Sequence, residues 1–181
     1  MRMGCDARDG KQVVFVTNNS TKSRADYKKK LDGLGIPSNT RIYLHLPYSQ
    51  PSRNKRKVFV IGETSIEQEL RSENVPFIGG TDPAYRRDIT PEDYKRIAAG
   101  DSSLLDPDVG VVLVGLDSHI NYLKMALAYH YVKRGAVFLA TDIDSTLSNS
   151  GTLFPGAGSM SAPLIMIWGW SPCLSESRTR R

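Results

Sequence analysis

Four short apolar runs, rich in valine and without polar alternation, constrain this chain more than any other feature. Strands buried on both faces of a sheet have this composition. The runs cover residues 13–17, 58–62, 109–115 and 136–141. Because stretches with helical signals separate them, the sequence predicts an α/β fold with a mainly parallel sheet.

The stretches between the runs carry start and stop signals of helices. Thr64 and Glu67 have the spacing of a capping box. Thr90 and Pro91 open the next helix as cap residue and first-turn proline, and Gly100 ends it. The predicted helices cover residues 23–34, 64–74, 90–100 and 120–134. In the last of them, Leu123, Leu127 and Tyr131 fall on one stripe, which predicts a face packed on the sheet.

Three segments lack this periodicity and do not fit the alternation of strands and helices. They are residues 1–10, 41–56 and 166–181. The second starts like a strand at 41–47 and continues as a loop, and the third carries no recognisable element. Of the formal net charge of +5 in 181 residues, these segments supply +6 and the remainder −1. The basic balance that suggests an anionic polymer as partner therefore resides outside the periodic part of the chain.

Composition narrows the class of protein further. The charged fraction of 24% and the hydrophobic fraction of 40% are ordinary globular values,. No apolar run reaches the roughly 20 residues that a transmembrane helix needs. The first ten residues lack the apolar segment of a secretory signal, and the two cysteines lack a metal or redox spacing. The sequence therefore predicts a cytoplasmic protein that does not enter a membrane.

The first candidate site follows the first apolar run, where Thr17, Asn18 and Asn19 precede a predicted helix. At the carboxyl end of a parallel strand, hydroxyls, amides and free helix N–H groups converge on one crevice, which suits a phosphate. The alternative is a helix cap and a turn that bind nothing. Residue spacing alone leaves both interpretations open.

The second candidate is the pair Asp142 and Asp144 after the last apolar run. Two carboxylates at a strand's carboxyl end can serve as nucleophile and general acid, or as metal ligands. The alternative is a turn in which an aspartate accepts a hydrogen bond from the backbone nearby, and a bare Asp-x-Asp more often has that role.

Several segments together resemble the haloacid dehalogenase (HAD) superfamily of phosphatases, and within it the p-nitrophenylphosphatase and phosphoglycolate phosphatase group, its fungal members above all. Residues 13–21 are similar to the family's second conserved motif. Further similar segments occur in the family's order and extend the resemblance over residues 11–40 and 57–165. They are Val-Phe-Val-Ile-Gly-Glu at 58–63, Val-Leu-Val-Gly-Leu-Asp at 112–117 with Tyr-Leu-Lys at 122–124, Phe-Leu-Ala-Thr-Asp-Ile-Asp at 138–144, and Phe-Pro-Gly-Ala-Gly-Ser-Met at 154–160.

The resemblance implies a Rossmann-like catalytic core with a large inserted α/β cap domain. It also implies hydrolysis of small phosphomonoesters through an aspartyl-phosphate, with Mg²⁺ as cofactor and pairing of two copies through their caps. Thr17 matches the residue that binds the transferring phosphoryl group, and Asn18 and Asn19 match neighbouring substrate contacts. Such chemistry depends on positioning and charge stabilisation.

Other parts of the family's pattern do not occur in this sequence. An Asp-x-Asp-Gly nucleophile motif should precede residue 13, and a Gly-Lys-Pro lysine and later metal-binding aspartates should follow Ser159. We therefore expect an incomplete chain with little or no hydrolytic activity, and no catalytic or metal-binding residue is assigned. The expected division is a partial core at 1–56 with aberrant segments 1–10 and 41–56, a cap at 57–154, a return to the core at 155–165, and a tail unrelated to the family at 166–181.

The position of Asp142 and Asp144 in the family's order predicts a loop of the cap near the substrate entrance rather than a nucleophile. A different class of function is a non-catalytic fragment that binds a phosphorylated ligand or a protein partner. Nucleic-acid binding would use Lys22, Arg24 and the lysines at 28–30 together with Arg53, Lys55 and Arg56. It is the least favoured, because such lysines usually form a solvated helix face.

Overall fold

A computed structural model describes residues 2–6, 12–16, 24–34, 57–168 and 173–174. Nine strands and five helices lie in these ranges. In chain order they are β1 (Arg2–Asp6), β2 (Gln12–Val16), α1 (Arg24–Gly33), β3 (Lys57–Ile61), α2 (Thr64–Ser72), β4 (Phe77–Gly79), α3 (Pro91–Ala99), β5 (Val109–Val114), α4 (Tyr122–Lys133), β6 (Val137–Ala140), β7 (Thr146–Asn149), β8 (Thr152–Pro155), α5 (Ala157–Trp168) and β9 (Cys173–Leu174).

A five-stranded sheet organises residues 57–174, with the strand order β4-β3-β5-β6-β9 and every pair parallel. Three of the four apolar runs form its centre as β3, β5 and β6, which confirms the predicted parallel α/β sheet. Helix α2 packs on one face through Ile66 and Leu70. The other face holds the main core, where α3, α4 and α5 contribute Ile97, Leu127 and Leu164.

The first apolar run pairs differently from the prediction. Strand β2 is antiparallel to β1, with Met3 opposite Phe15 and Cys5 opposite Val13. Residues 1–10, which lack periodicity in the sequence, thus contain a strand. Five residues separate the two strands, and a parallel connection needs a crossover of a dozen or more, so only an antiparallel pairing is open to them.

The helices predicted at α2, α3 and α4 are all present, but the capping box predicted for α2 is not. Thr90 caps α3 in a reciprocal capping box with Asp93, and Gly100 ends it in the left-handed conformation at φ 71°,. Glu63 is the N-cap residue of α2 and makes no side-chain cap, so the predicted Thr64–Glu67 capping box is wrong. The Glu67 carboxylate turns inward and accepts the Thr81 N–H at 2.6 Å.

The carboxyl-terminal part of the chain also holds more structure than the sequence predicts. Helix α5 extends to Trp168, and Cys173–Leu174 pairs with β6 as the fifth strand, so residues 166–181 are not without regular elements. Helix α5 lies on the same sheet through Leu164. The domain boundaries at 154 and 165 stay a prediction. Within the described residues no helix has the length and apolar character needed to cross a membrane.

Candidate functional site

The residues predicted to bind phosphate, Thr17, Asn18 and Asn19, lie outside the described residues. Their assignment stays a prediction. The described part of the chain offers a different cluster of polar side chains, located where the parallel strands end.

The carboxyl edge of the sheet brings together loops that are far apart in sequence. Glu63 follows β3, Gly80 follows β4, Asp117 follows β5 and Asp142 follows β6. Because the strands are parallel, all four loops emerge at one edge, which is where open α/β sheets usually bind ligands. We call one group of residues the carboxyl-edge cluster: Glu63, Gly80, Arg86, Asp117, Ser118 and, from α4, Lys124.

A fully buried ion pair lies at the centre of the carboxyl-edge cluster. The Lys124 ammonium contacts the Asp117 carboxylate at 2.6 Å, and both side chains are completely inaccessible to solvent. Lys124 also donates to the Gly80 carbonyl at 2.9 Å, and Asp117 accepts the His119 backbone N–H at 2.9 Å. The pair therefore ties the loop after β4 to the loop after β5, at a desolvation cost that these hydrogen bonds offset.

Glu63 makes the second connection in the carboxyl-edge cluster. Its carboxylate accepts a hydrogen bond from Arg86 at 2.8 Å, one from the Ser118 N–H at 3.0 Å and one from the Ser118 hydroxyl. Burial raises the pKa of Glu63, but these hydrogen bonds and the charge of Arg86 outweigh it and lower the pKa to about 2. Glu63 is thus an ionised link between three loops, which explains why it does not cap α2.

The lowered pKa of Glu63 predicts a loss of stability in acid. A carboxyl whose pKa is lower in the folded than in the unfolded state stabilises the fold above its unfolded pKa, here 4.5, and loses that contribution as the pH falls toward 2,. Urea titrations between these pH values should therefore show a falling free energy of unfolding. Glu63→Gln should have a flatter pH profile, and a profile as steep as that of the parent chain would contradict this role. Glu69→Gln serves as the carboxyl-to-amide control, at a position of α2 outside the carboxyl-edge cluster.

The described residues of the cluster do not fit a magnesium site. Ligand atoms of Glu63, Asp117 and His119 lie within 4.8 Å of one another. However, Arg86 and Lys124 already neutralise the two carboxylates. Mg²⁺ prefers oxygen ligands and retained water over an imidazole. The carboxyl-edge cluster is therefore a set of internal ion pairs that fixes loop positions.

The second sequence candidate forms a turn of the kind given as its alternative. The Asp142 carboxylate accepts the Asp144 backbone N–H at 2.8 Å. The backbone that follows is bound to the start of α5, with Gly158 N–H donating to the Asp144 carbonyl at 2.9 Å and Gly156 N–H to the Ser145 carbonyl at 2.8 Å. Asp142 is buried and committed to this turn, while Asp144 is exposed.

Glu63, Asp117 and Lys124 lie in segments whose sequence resembles the family, but the sequence predicted no role for them. It gave no indication of Arg86. One signal was available, because an acidic residue follows each of the three central strands within two or three positions. Their partners have no such signal. Gly80 and Lys124 are 44 residues apart, and only the sheet order brings them together.

Comparison with known proteins gives the family. The profile of the haloacid dehalogenase-like hydrolases matches residues 6–76. The chain is 41% identical over 172 residues to the 4-nitrophenylphosphatase of Schizosaccharomyces pombe, an alignment that covers 90% of this chain and 56% of that protein. The chain belongs to the HAD-like hydrolase family. Phosphoglycolate phosphatase 2 of Arabidopsis thaliana is another relative, 35% identical over 86% of this chain and 53% of its own length.

Solved structures share the fold of this chain. A hypothetical protein from Pyrococcus horikoshii superposes with a TM-score of 0.61 at 28% identity, over 87% of this chain and 56% of that one. The glycerol phosphate phosphatase of Mycobacterium tuberculosis, solved in complex with magnesium, has a TM-score of 0.61 at 23% identity over 89% and 44% of the two chains, and supports the fold alone. This chain spans about half the length of the curated relatives it matches.

Proposed function

We propose that this HAD-like protein belongs to the magnesium-dependent phosphatases of small phosphomonoesters, such as p-nitrophenyl phosphate or 2-phosphoglycolate, and that this chain itself is inactive or only weakly active, because its sequence contains neither the nucleophile motif nor the metal motif. The observation that carries the proposal is the 41% identity to a 4-nitrophenylphosphatase over 90% of the chain. Relatives named as phosphoglycolate phosphatases support the same class of substrate. We place the protein in the cytoplasm, and we propose that two copies pair through the cap.

Residues 57–154 are proposed to form the cap domain, residues 1–56 part of the catalytic core and residues 155–165 the return to that core. In this division the carboxyl-edge cluster belongs to the cap. Its charges are paired with one another, as between Lys124 and Asp117, so the cluster acts as a rigid frame for the cap loops. No residue of the described ranges is assigned as nucleophile or magnesium ligand.

The chemistry proposed for the family's reaction is attack of an aspartate carboxylate on phosphorus, which breaks the ester P–O bond and releases the alcohol after a second aspartate protonates it. Water then attacks the aspartyl-phosphate, which releases inorganic phosphate and regenerates the carboxylate. Thr17 would donate its hydroxyl hydrogen to a phosphoryl oxygen, with Asn18 and Asn19 beside it. Magnesium would supply charge neutralisation for the phosphoryl oxygens when bound. Because the sequence contains no Asp-x-Asp-Gly motif, the attacking group of this reaction is not assigned to this chain.

The assay that tests the proposal measures p-nitrophenyl phosphate hydrolysis with Mg²⁺, with the S. pombe relative as reference. We expect turnover lower by several orders of magnitude, because loss of an attacking group has an effect of that size. Asp142→Asn should leave the residual rate unchanged, since Asp142 is committed to its turn. Turnover near that of the reference, abolished by Asp142→Asn, would make Asp142 the nucleophile and overturn the cap-loop assignment.

Ligand binding is measured separately from turnover. With 2-phosphoglycolate and Mg²⁺, the midpoint of thermal unfolding should rise in the parent chain and less in Thr17→Val, because Thr17 contributes a donor to the phosphoryl group. Stabilisation without turnover is also the result expected of a non-catalytic phosphate-binding fragment. No stabilisation by any phosphomonoester would remove the proposed substrate class.

A further inference from the structure

We draw no further inference here: the strongest candidate, the exposed apolar surface of the β7–β8 hairpin and the outer side of helix α5 around Leu153 and Met166, carries nothing because nothing in the part of the chain that the structure describes shows what covers it.

Discussion

Lys124→Met is expected to reduce the free energy of unfolding by about 3–5 kcal/mol, the range for breaking a buried ion pair by removing one partner. The substitution keeps most of the side-chain volume and removes the ammonium. It leaves the Asp117 carboxylate in a site without solvent access and the Gly80 carbonyl without its donor. Urea denaturation at neutral pH measures the loss.

A double substitution separates the ion pair from other effects of the methionine. In Lys124→Met/Asp117→Asn no unpaired charge remains buried, and the asparagine carbonyl can still accept the His119 N–H. The double variant should therefore lose less stability than the two single variants added together. Lys95→Met is the control for the residue change, because Lys95 is 77% exposed and its contact with Glu92 is 3.6 Å long. It should change the stability by less than about 1 kcal/mol. A Lys124→Met effect as small as that of the control would contradict the structural role of the pair.

The sequence correctly predicted the elements that depend on residues close to one another in the chain. The apolar runs at β3, β5 and β6 show no polar alternation, which indicates burial on both faces. Parallel sheets are normally covered on both faces. The cap at Thr90 succeeded because both partners of the capping box lie within three residues. At Thr64 the same pattern failed, because the Glu67 carboxylate is bound by Thr81, 14 residues away. A pattern of neighbouring residues contains no information about a hydrogen-bond donor so far away in the chain.

The candidate site was predictable only in outline. The acid after each central strand could be read from the sequence, and the Asp142–Asp144 turn was weighed there and is present. The contacts of Lys124 with Asp117 and Gly80 depend on the order of the strands in the sheet and on the crossing of α4 over the sheet. The antiparallel β1–β2 pair and the short strand β9 depend likewise on which partners are in reach, and no periodicity of their own marks them.

Gly158→Ala is the substitution for which the general rule and this structure give opposite signs. In a helix, alanine in place of glycine usually adds about 0.5–1 kcal/mol of stability. Here a Cβ atom on Gly158 would overlap the backbone carbonyl group of Ile143 and would lie 2.8 Å from the Asp144 carbonyl oxygen. Neither group can swing aside as a flexible side chain does, since the same loop is hydrogen-bonded to the start of α5.

We therefore expect Gly158→Ala to lower the free energy of unfolding by about 1–3 kcal/mol, the usual cost of overpacking. Gly156 has the same constraint, because its Cβ would lie 2.5 Å from the Asp144 carbonyl oxygen. Gly33→Ala is the matched control, since a Cβ at this last residue of α1 would meet nothing within 4 Å, and it should be neutral or slightly stabilising. Urea denaturation of the three glycine-to-alanine variants measures whether each substitution raises or lowers the free energy of unfolding. A gain of stability in Gly158→Ala would show that the 142–145 loop can move away from α5, whereas a loss shows that the glycines of the Phe-Pro-Gly-Ala-Gly-Ser segment are required for close backbone packing.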